Sequence, residues 1–153
     1  MPKDGSKYER ELREWFYDND AVALRIPSSG SGTKRSLPDV LGRVGGYDFA
    51  IELKYSATDY ARFTVNEAND LIEFAHLWGA VPCFVARFAY DTDYYVLTPE
   101  TLPDQWVDKQ TFSIPRDHRA SHQTLSDLIA DVIDDDTQAR IGDDTELIQA
   151  ATP

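Results

Sequence analysis

The chain has 153 residues, a net charge of −12, 42% hydrophobic and 12% aromatic residues. This length and apolar content are sufficient for one globular domain with its own core. No apolar run is long enough to cross a membrane, and the polar start Met1-Pro2-Lys3-Asp4 is not typical of a signal peptide. The single cysteine excludes an internal disulfide. We therefore expect a soluble, cytoplasmic protein without a membrane partner.

The negative charge is unevenly distributed along the chain. Residues 1–62 contain ten Lys and Arg and ten Asp and Glu, whereas residues 63–153 contain five and seventeen. The acidic second half argues against a general affinity for nucleic acid, but the first half becomes locally basic if some of its carboxylates bind metal. The excess of aspartate (nineteen) over glutamate (eight) resembles the composition of proteins from halophiles.

The first predicted element is a helix over residues 6–18. Its apolar face consists of Tyr8, Leu12, Trp15 and Phe16, which recur with the helical period. Glu9 borders this face. The pattern leaves two interpretations open: a carboxylate that reaches a site on the sheet below, or a glutamate on the helix surface.

A strand over residues 21–26 is followed by a polar segment over residues 27–37. This segment is rich in hydroxyl groups and glycine, and it ends with Lys34 and Arg35. Backbone N–H groups, hydroxyls and basic side chains are the usual phosphate contacts of proteins. Because the segment joins two predicted strands of one sheet, we interpret it as a phosphate-contacting loop rather than a linker between domains.

The next two predicted strands, 38–44 and 48–55, are joined by Gly45-Gly46, which is typical of a two-residue hairpin turn. With this turn, Asp39 lies opposite Glu52 at about 5 Å, and strand alternation places Lys54 on the same face as Glu52. Two carboxylates and an amine in one place suit a hard divalent cation such as Mg²⁺. The alternative is a surface hairpin with ordinary charges, but the apolar residues around Glu52 would bury it.

The rest of the chain completes an α/β fold with a mixed sheet flanked by helices. The further elements are a helix over 65–78 that Gly79 ends, strands over 81–88 and 94–97, a short helix from Thr98, and a last helix after its cap Thr124. Residues 55–63 and 103–120 are predicted to be irregular. We expect a single domain over residues 1–135 and an acidic, loosely ordered tail over residues 136–153.

A series of short segments between about Gly5 and Leu97 resembles the archaeal Holliday junction resolvase family, which belongs to the restriction endonuclease-like PD-(D/E)XK superfamily. Each segment is a weak signal alone, but the set in this order and spacing is specific. The segments are Gly5-Ser6-Lys7-Tyr8-Glu9-Arg10-Glu11-Leu12, Arg25-Ile26-Pro27-Ser28-Ser29-Gly30-Ser31, Pro38-Asp39-Val40, Ile51-Glu52-Leu53-Lys54, Glu67, and Leu71-Ile72-Glu73-Phe74-Ala75.

The resemblance implies a restriction endonuclease-like mixed β-sheet in a single nuclease domain. It implies a homodimer that cuts two opposed strands of a four-way DNA junction with Mg²⁺, for which Mn²⁺ could substitute, and without a small-molecule cofactor. By position, the implied site residues are the metal-binding acids Glu9, Asp39 and Glu52, the catalytic Lys54, the loop serine Ser29 needed for cleavage, and the DNA-contacting Arg10 and Arg25. The interpretation of the polar loop adds Lys34 and Arg35 as DNA contacts.

The implied dimer requires an apolar interface. We place it on Trp78, Phe84 and Phe88, because this region offers more apolar surface than a small domain can bury. Two alternatives to a junction resolvase stay open. One is another PD-(D/E)XK nuclease that cuts duplex DNA in repair or restriction, and the other is a non-catalytic DNA-binding member of the fold. The intact set of acids and lysine disfavours the second alternative.

Overall fold

The structure is a computed structural model that describes residues 4–27, 37–101, 106–107 and 110–135. The predictions for Ser29, Lys34 and Arg35, and for the tail over residues 136–153, lie outside the described residues. No helix in the described part of the chain is long and apolar enough to cross a membrane.

The elements follow one another in an α/β order. They are α1 (Asp4–Asp18), β1 (Val22–Arg25), β2 (Val40–Val44), β3 (Tyr47–Ser56), β4 (Tyr60–Thr64), α2 (Val65–Trp78), β5 (Val81–Phe88), β6 (Tyr95–Leu97), β7 (Trp106–Val107), β8 (Thr111–Pro115), a 3₁₀ helix (Arg116–Ser121), β9 (Gln123–Thr124) and α3 (residues 125–135). Among these elements, six strands form a mixed sheet in the order β1-β2-β3-β5-β6-β9. Strands β3 and β5 are parallel, so the chain between them must cross over the sheet, and α2 lies in this crossover. The predicted mixed sheet with flanking helices is confirmed.

The helix boundaries follow from local capping chemistry. Thr64 and Glu67 form a capping box at the start of α2, and Gly79 ends the helix in the left-handed conformation with φ 85°. At the start of α3, the Thr124 hydroxyl accepts a hydrogen bond of 3.2 Å from the Asp127 N–H. The predicted bounds 65–78 and the predicted cap Thr124 are therefore confirmed.

One face of the sheet packs against α1. Leu12 and Phe16 are fully buried there, and Tyr8 and Trp15 pack partly buried against the same core, which confirms the predicted apolar face of the helix. A Cβ atom at Gly42 of β2 would lie 2.4 Å from the Phe16 ring. The glycine therefore permits the close approach of α1 to the sheet.

The other face carries α2 and a second sheet, which the sequence analysis did not predict. Within the described residues, β4, β8 and β7 form a three-stranded sheet in the order β4-β8-β7. The predictions that residues 55–63 and 103–120 are irregular are therefore wrong at these strands. Phe63 of β4 and Phe112 of β8 stack with their ring centroids 5.1 Å apart.

This second sheet also corrects the predicted dimer interface. Phe84 and Phe88 are buried in one core with Phe63 and Phe112, with 0% and 1% of their surfaces exposed. The apolar surplus of β5 is covered within the monomer, so these two residues are not available to a partner. Trp78 differs, because 54% of its surface is exposed.

Candidate active site

The hairpin of β2 and β3 sets the position of the predicted carboxylates. Gly45 and Gly46 both have positive φ, at 58° and 85°, as the predicted two-residue turn requires. The register runs from Val44 opposite Tyr47 to Val40 opposite Ile51, which confirms the predicted pairing along the strands.

Asp39 lies just beyond the last paired position of β2. Its N–H donates to the Ile51 carbonyl (2.9 Å), and its carbonyl accepts from the Ile26 N–H (2.9 Å). Its carboxylate Oδ2 accepts a hydrogen bond of 2.8 Å from the Leu53 N–H. The turn alone predicted that Asp39 is the regular cross-strand partner of Glu52. This prediction is wrong, because the regular pairing ends at Val40. The Asp39 side chain instead bonds the backbone between Glu52 and Lys54.

Glu52, Lys54 and Glu67 form a cluster around one ammonium group. Lys54 Nζ lies 3.9 Å from Glu52 Oε1 and donates a hydrogen bond to Glu67 Oε2. The exposed fractions of the side chains are 16% for Glu52, 27% for Glu67 and 33% for Lys54. The predicted placement of Glu52 and Lys54 on one face of β3 is therefore confirmed.

The two predicted carboxylates are harder to ionise than ordinary ones. Burial and the negative charges of Glu9 and Glu67, which outweigh the Leu53 hydrogen bond and the Lys54 charge, raise the pKa of Asp39 to about 6. Burial, the charge of Asp39 and interactions with Glu67 raise the pKa of Glu52 to about 9. Without a metal, the site therefore favours the protonated form of Glu52, and it has an excess of acidic groups over bases.

Lys54 and Glu67 are instead held in their charged forms. Burial by itself lowers the pKa of Lys54, but the hydrogen bond and charge of Glu67, with the charges of Glu52 and Asp39, raise it above its usual range. Burial by itself raises the pKa of Glu67, but its hydrogen bonds and the Lys54 charge lower it. Lys54 and Glu67 thus form an ion pair. Beside it, the carboxyl groups of Asp39 and Glu52 have too little positive charge near them to stabilise their ionised forms.

Glu9 reaches the site from α1, where it is held by Arg25. Arg25 Nε donates to Glu9 Oε2 at 2.8 Å, and Arg25 Nη2 donates to the Ser6 hydroxyl at 2.9 Å. Both charged side chains are largely buried, with 17% of Glu9 and 21% of Arg25 exposed. The negative charge of Glu9 contributes to the raised pKa of Asp39, so Glu9 belongs to the same electrostatic site. Arg10, the next residue of α1, is exposed.

Glu67 is the site residue to which the sequence analysis gave no role. The Thr64-x-x-Glu67 spacing is the signature of a capping box, which could have marked residue 67 as the first turn of α2. The signature does not reveal that this turn lies over β3, since that depends on the crossover between β3 and β5.

The donor set of the site suits a hard divalent cation. Asp39 and Glu52 offer carboxylate oxygens whose raised pKa values reflect burial and repulsion from neighbouring carboxylates, and a cation would relieve both effects. In the described part of the chain, no three His, Cys, Asp or Glu side chains already stand in an arrangement that holds a metal ion. The residues present fit a divalent metal that the carboxylates of Asp39 and Glu52 would hold.

Comparison with protein families assigns the chain to a known family. A sequence model of the family described as archaeal Holliday junction resolvase (Hjc) matches residues 1–135. The chain belongs to this family. It is a Holliday junction-resolving endonuclease, and nuclease activity of this kind implies a divalent metal cofactor.

Individual relatives agree with this assignment. The chain is 27% identical over 95 residues to a crossover junction endodeoxyribonuclease of Sulfolobus islandicus rod-shaped virus 1, a match that covers 62% of this chain and 78% of the relative. The fold is similar to the solved structure of Archaeoglobus fulgidus Hjc, described as a Holliday junction resolvase from an archaeal hyperthermophile. The TM-score is 0.69 at 18% identity, with 82% of this chain and 98% of that chain covered.

Proposed function

We propose that the protein resolves four-way DNA junctions in recombination and repair by paired, Mg²⁺-dependent cuts, with Mn²⁺ as a possible substitute. The observation that carries this proposal is the convergence of Asp39, Glu52 and Lys54 at the start of β2 and on β3. Asp39 and Glu52 would hold the metal, and Glu9 would complete its shell. When bound, Mg²⁺ supplies Lewis acidity toward a phosphoryl oxygen and lowers the pKa of an attacking water.

Lys54 supplies positive charge rather than a base in this proposal. Its raised pKa keeps the side chain as an ammonium at neutral pH, so it is not able to accept a proton from water. A fixed ammonium beside the scissile phosphate stabilises the negative charge that develops in the transition state. Lys54 can also donate a hydrogen bond that orients the attacking water.

Arg25 has a supporting role beside its predicted contact with DNA. Because it pairs with Glu9 and Ser6, it fixes the Glu9 carboxylate next to Asp39. When Glu9 turns toward a metal, Arg25 becomes available to a DNA phosphate. We further propose that Arg10 on the exposed side of α1, with Ser29, Lys34 and Arg35, contacts the DNA backbone. Ser29 would contact the scissile phosphate.

We propose that the active form is a homodimer that meets through an apolar patch on the catalytic face of the sheet. We define this patch as Val22, Leu24 and Trp78, with exposed fractions of 44%, 62% and 54%. Val22 pairs with Arg43 across β1 and β2. Trp78 Nε1 donates to Asp48 (3.0 Å), which also binds Arg43.

Strand alternation places Asp48 on the same face as Glu52. The patch therefore lies on the face that carries the site, and a two-fold axis through it would bring two sites to one side of the dimer. Two related sites are what paired cuts in a two-fold symmetric junction require. Each protomer, with the single nuclease domain that we propose over residues 1–135, would supply one of the two sites of the dimer.

Cleavage of a cruciform plasmid tests paired cutting. Two cuts within one binding event convert the supercoiled plasmid directly to linear DNA, whereas independent single cuts accumulate nicked circles first. We expect linear DNA from the start of the reaction when Mg²⁺ is present. Accumulation of nicked circles as the main early product would contradict the paired-cut proposal.

A further inference from the structure

Glu67 bonds two different parts of the molecule through its two carboxylate oxygens. Oε1 accepts a hydrogen bond of 2.9 Å from the Thr64 N–H, and Oε2 accepts one from the Lys54 ammonium. In return, the Thr64 hydroxyl accepts a hydrogen bond of 3.1 Å from the Glu67 N–H. Glu67 therefore links the first turn of α2 to Lys54 on β3.

We propose that Glu67 is a positioning residue that holds the Lys54 ammonium for catalysis and directs its hydrogen bond away from Glu52. The inference rests on the proposed catalytic role of Lys54 and deepens it. Glu67 acts through Lys54, without touching the phosphate itself.

The first step of the argument is the mobility of lysine. A lysine side chain has four rotatable carbon–carbon bonds and loses considerable rotamer entropy when it is fixed. One third of the Lys54 side chain is exposed, so packing alone does not hold it. A glutamate whose other oxygen is bound to the helix backbone provides a rigid anchor for the ammonium.

The second step is the competition between two acids for one ammonium. Lys54 makes its hydrogen bond with Glu67, while Glu52 Oε1 stands 3.9 Å from Nζ. If Lys54 bonded Glu52 directly, the ammonium would occupy the oxygen that a metal needs. Glu67, which also shares a hydrogen bond with Glu52, therefore holds the ammonium at a fixed place beside Glu52 without a direct hydrogen bond between Lys54 and Glu52.

The third step separates this role from ordinary helix capping. A capping box needs the Oε1 contact with the Thr64 N–H, and glutamine serves in that position as well as glutamate does. The Oε2 contact with Lys54 adds nothing to the cap. Replacement of Glu67 by glutamine thus keeps the cap and removes the negative charge that holds Lys54.

The experiment compares Glu67→Gln with Glu73→Gln, which makes the same substitution at an exposed position of the same helix. We measure single-turnover junction cleavage at saturating Mg²⁺, junction affinity in Ca²⁺, and the melting temperature. For Glu67→Gln we expect a rate about 10- to 100-fold lower, as for other groups that orient a catalytic side chain, with affinity and melting temperature unchanged. Glu73→Gln should match the wild type in all three.

Several results would overturn the inference. One is cleavage by Glu67→Gln at the wild-type rate, and another is a loss of rate that equals a loss of junction affinity or accompanies a fall in melting temperature. Recovery of the rate at higher Mg²⁺ concentration would also overturn it, because Glu67 would then be a metal ligand. Lys54→Ala distinguishes a failure of this inference from a failure of the proposed function. If that variant cleaves normally, the proposed role of Lys54 fails, whatever Glu67→Gln does.

Discussion

The carboxylate of Asp39 accepts a hydrogen bond of 2.8 Å from the backbone N–H of Leu53, the residue between Glu52 and Lys54. This bond joins the residue before the start of β2 to the middle of β3 by a side chain. It fixes one carboxylate beside the second acid and the lysine without using either of them as a partner. The bond uses one carboxylate oxygen, Oδ2, which leaves Oδ1 for the cation that we propose the site binds.

The first prediction concerns the two carboxylates. Asp39→Asn or Glu52→Gln should reduce junction cleavage by about 100-fold or more, because each removes charge stabilisation from the transition state. Junction binding in Ca²⁺ should survive, since the DNA-contacting surface is unchanged. Single-turnover cleavage and a binding titration measure the two effects, and Glu73→Gln serves as a charge-matched control. Turnover at a tenth of the wild-type rate would refute the assignment.

The second prediction concerns the stability of the metal-free protein. The pKa values of Asp39 and Glu52 are raised in the folded state to about 6 and about 9, so the folded state binds their protons more tightly than the unfolded state. The contribution of these two groups to the free energy of unfolding should therefore fall as the pH rises above about 4, near their pKa values in the unfolded state, through the folded-state values. Replacement of one of these two acids by its amide should abolish that acid's share of the pH-dependent fall in stability.

In EDTA at pH 8, Glu52→Gln should accordingly be more stable than the wild type. We expect a difference on the order of 1–3 kcal/mol, since a tenfold change in proton affinity corresponds to about 1.4 kcal/mol. The difference should vanish near pH 4. Urea unfolding at both pH values measures it. A wild type that is at least as stable as Glu52→Gln at pH 8 would show that the carboxyl group is not under repulsion in the folded protein.

The third prediction concerns assembly. In about 2 M KCl, a concentration that screens the net charge, sedimentation should show a species near twice the monomer mass of 17.3 kDa. Leu24→Glu should convert it to a monomer, because it places a charge in the apolar patch. Tyr90→Glu, at a fully exposed position that is not part of the patch, should leave the dimer intact. A monomeric wild type that still makes paired cuts would contradict the proposed interface.

The fourth prediction concerns the contact between α1 and the sheet. Gly42→Ala should lower the free energy of unfolding by about 1–3 kcal/mol, because its Cβ would overlap the Phe16 ring. The combination with Phe16→Leu should recover part of this loss, since the smaller side chain makes room for the methyl group. Denaturant unfolding of the single and double variants measures the effect. Additive losses in the double variant would show that the ring is not the obstacle.

Local signals in the sequence account for what was predicted correctly. The Gly45-Gly46 turn determines the register of β2 and β3, and strand alternation then places Glu52 and Lys54 on one face. Thr64 and Gly79 mark the ends of α2 by their capping chemistry. Each of these conclusions depends on residues that are close together in the chain.

The features that were missed depend on contacts between distant parts of the chain. Strand β4 has five residues and becomes recognisable only through its pairing with β8, about fifty residues later. This sheet buries Phe84 and Phe88, which by themselves are indistinguishable from interface residues. The contact between Glu67 and Lys54 likewise depends on how α2 packs over β3. Periodicity contains no information about such pairings.

The most direct test of the central claim is the cleavage of a four-way junction against a linear duplex of matched sequence, with Mg²⁺ in high salt. Both DNAs are offered to the same enzyme, and single-turnover rates are compared for the wild type and Lys54→Ala. We predict that the wild type cuts the junction in two opposed strands, that the duplex stays intact, and that Lys54→Ala cuts neither. Equal cleavage of duplex and junction, or cleavage that persists in Lys54→Ala, would contradict the account.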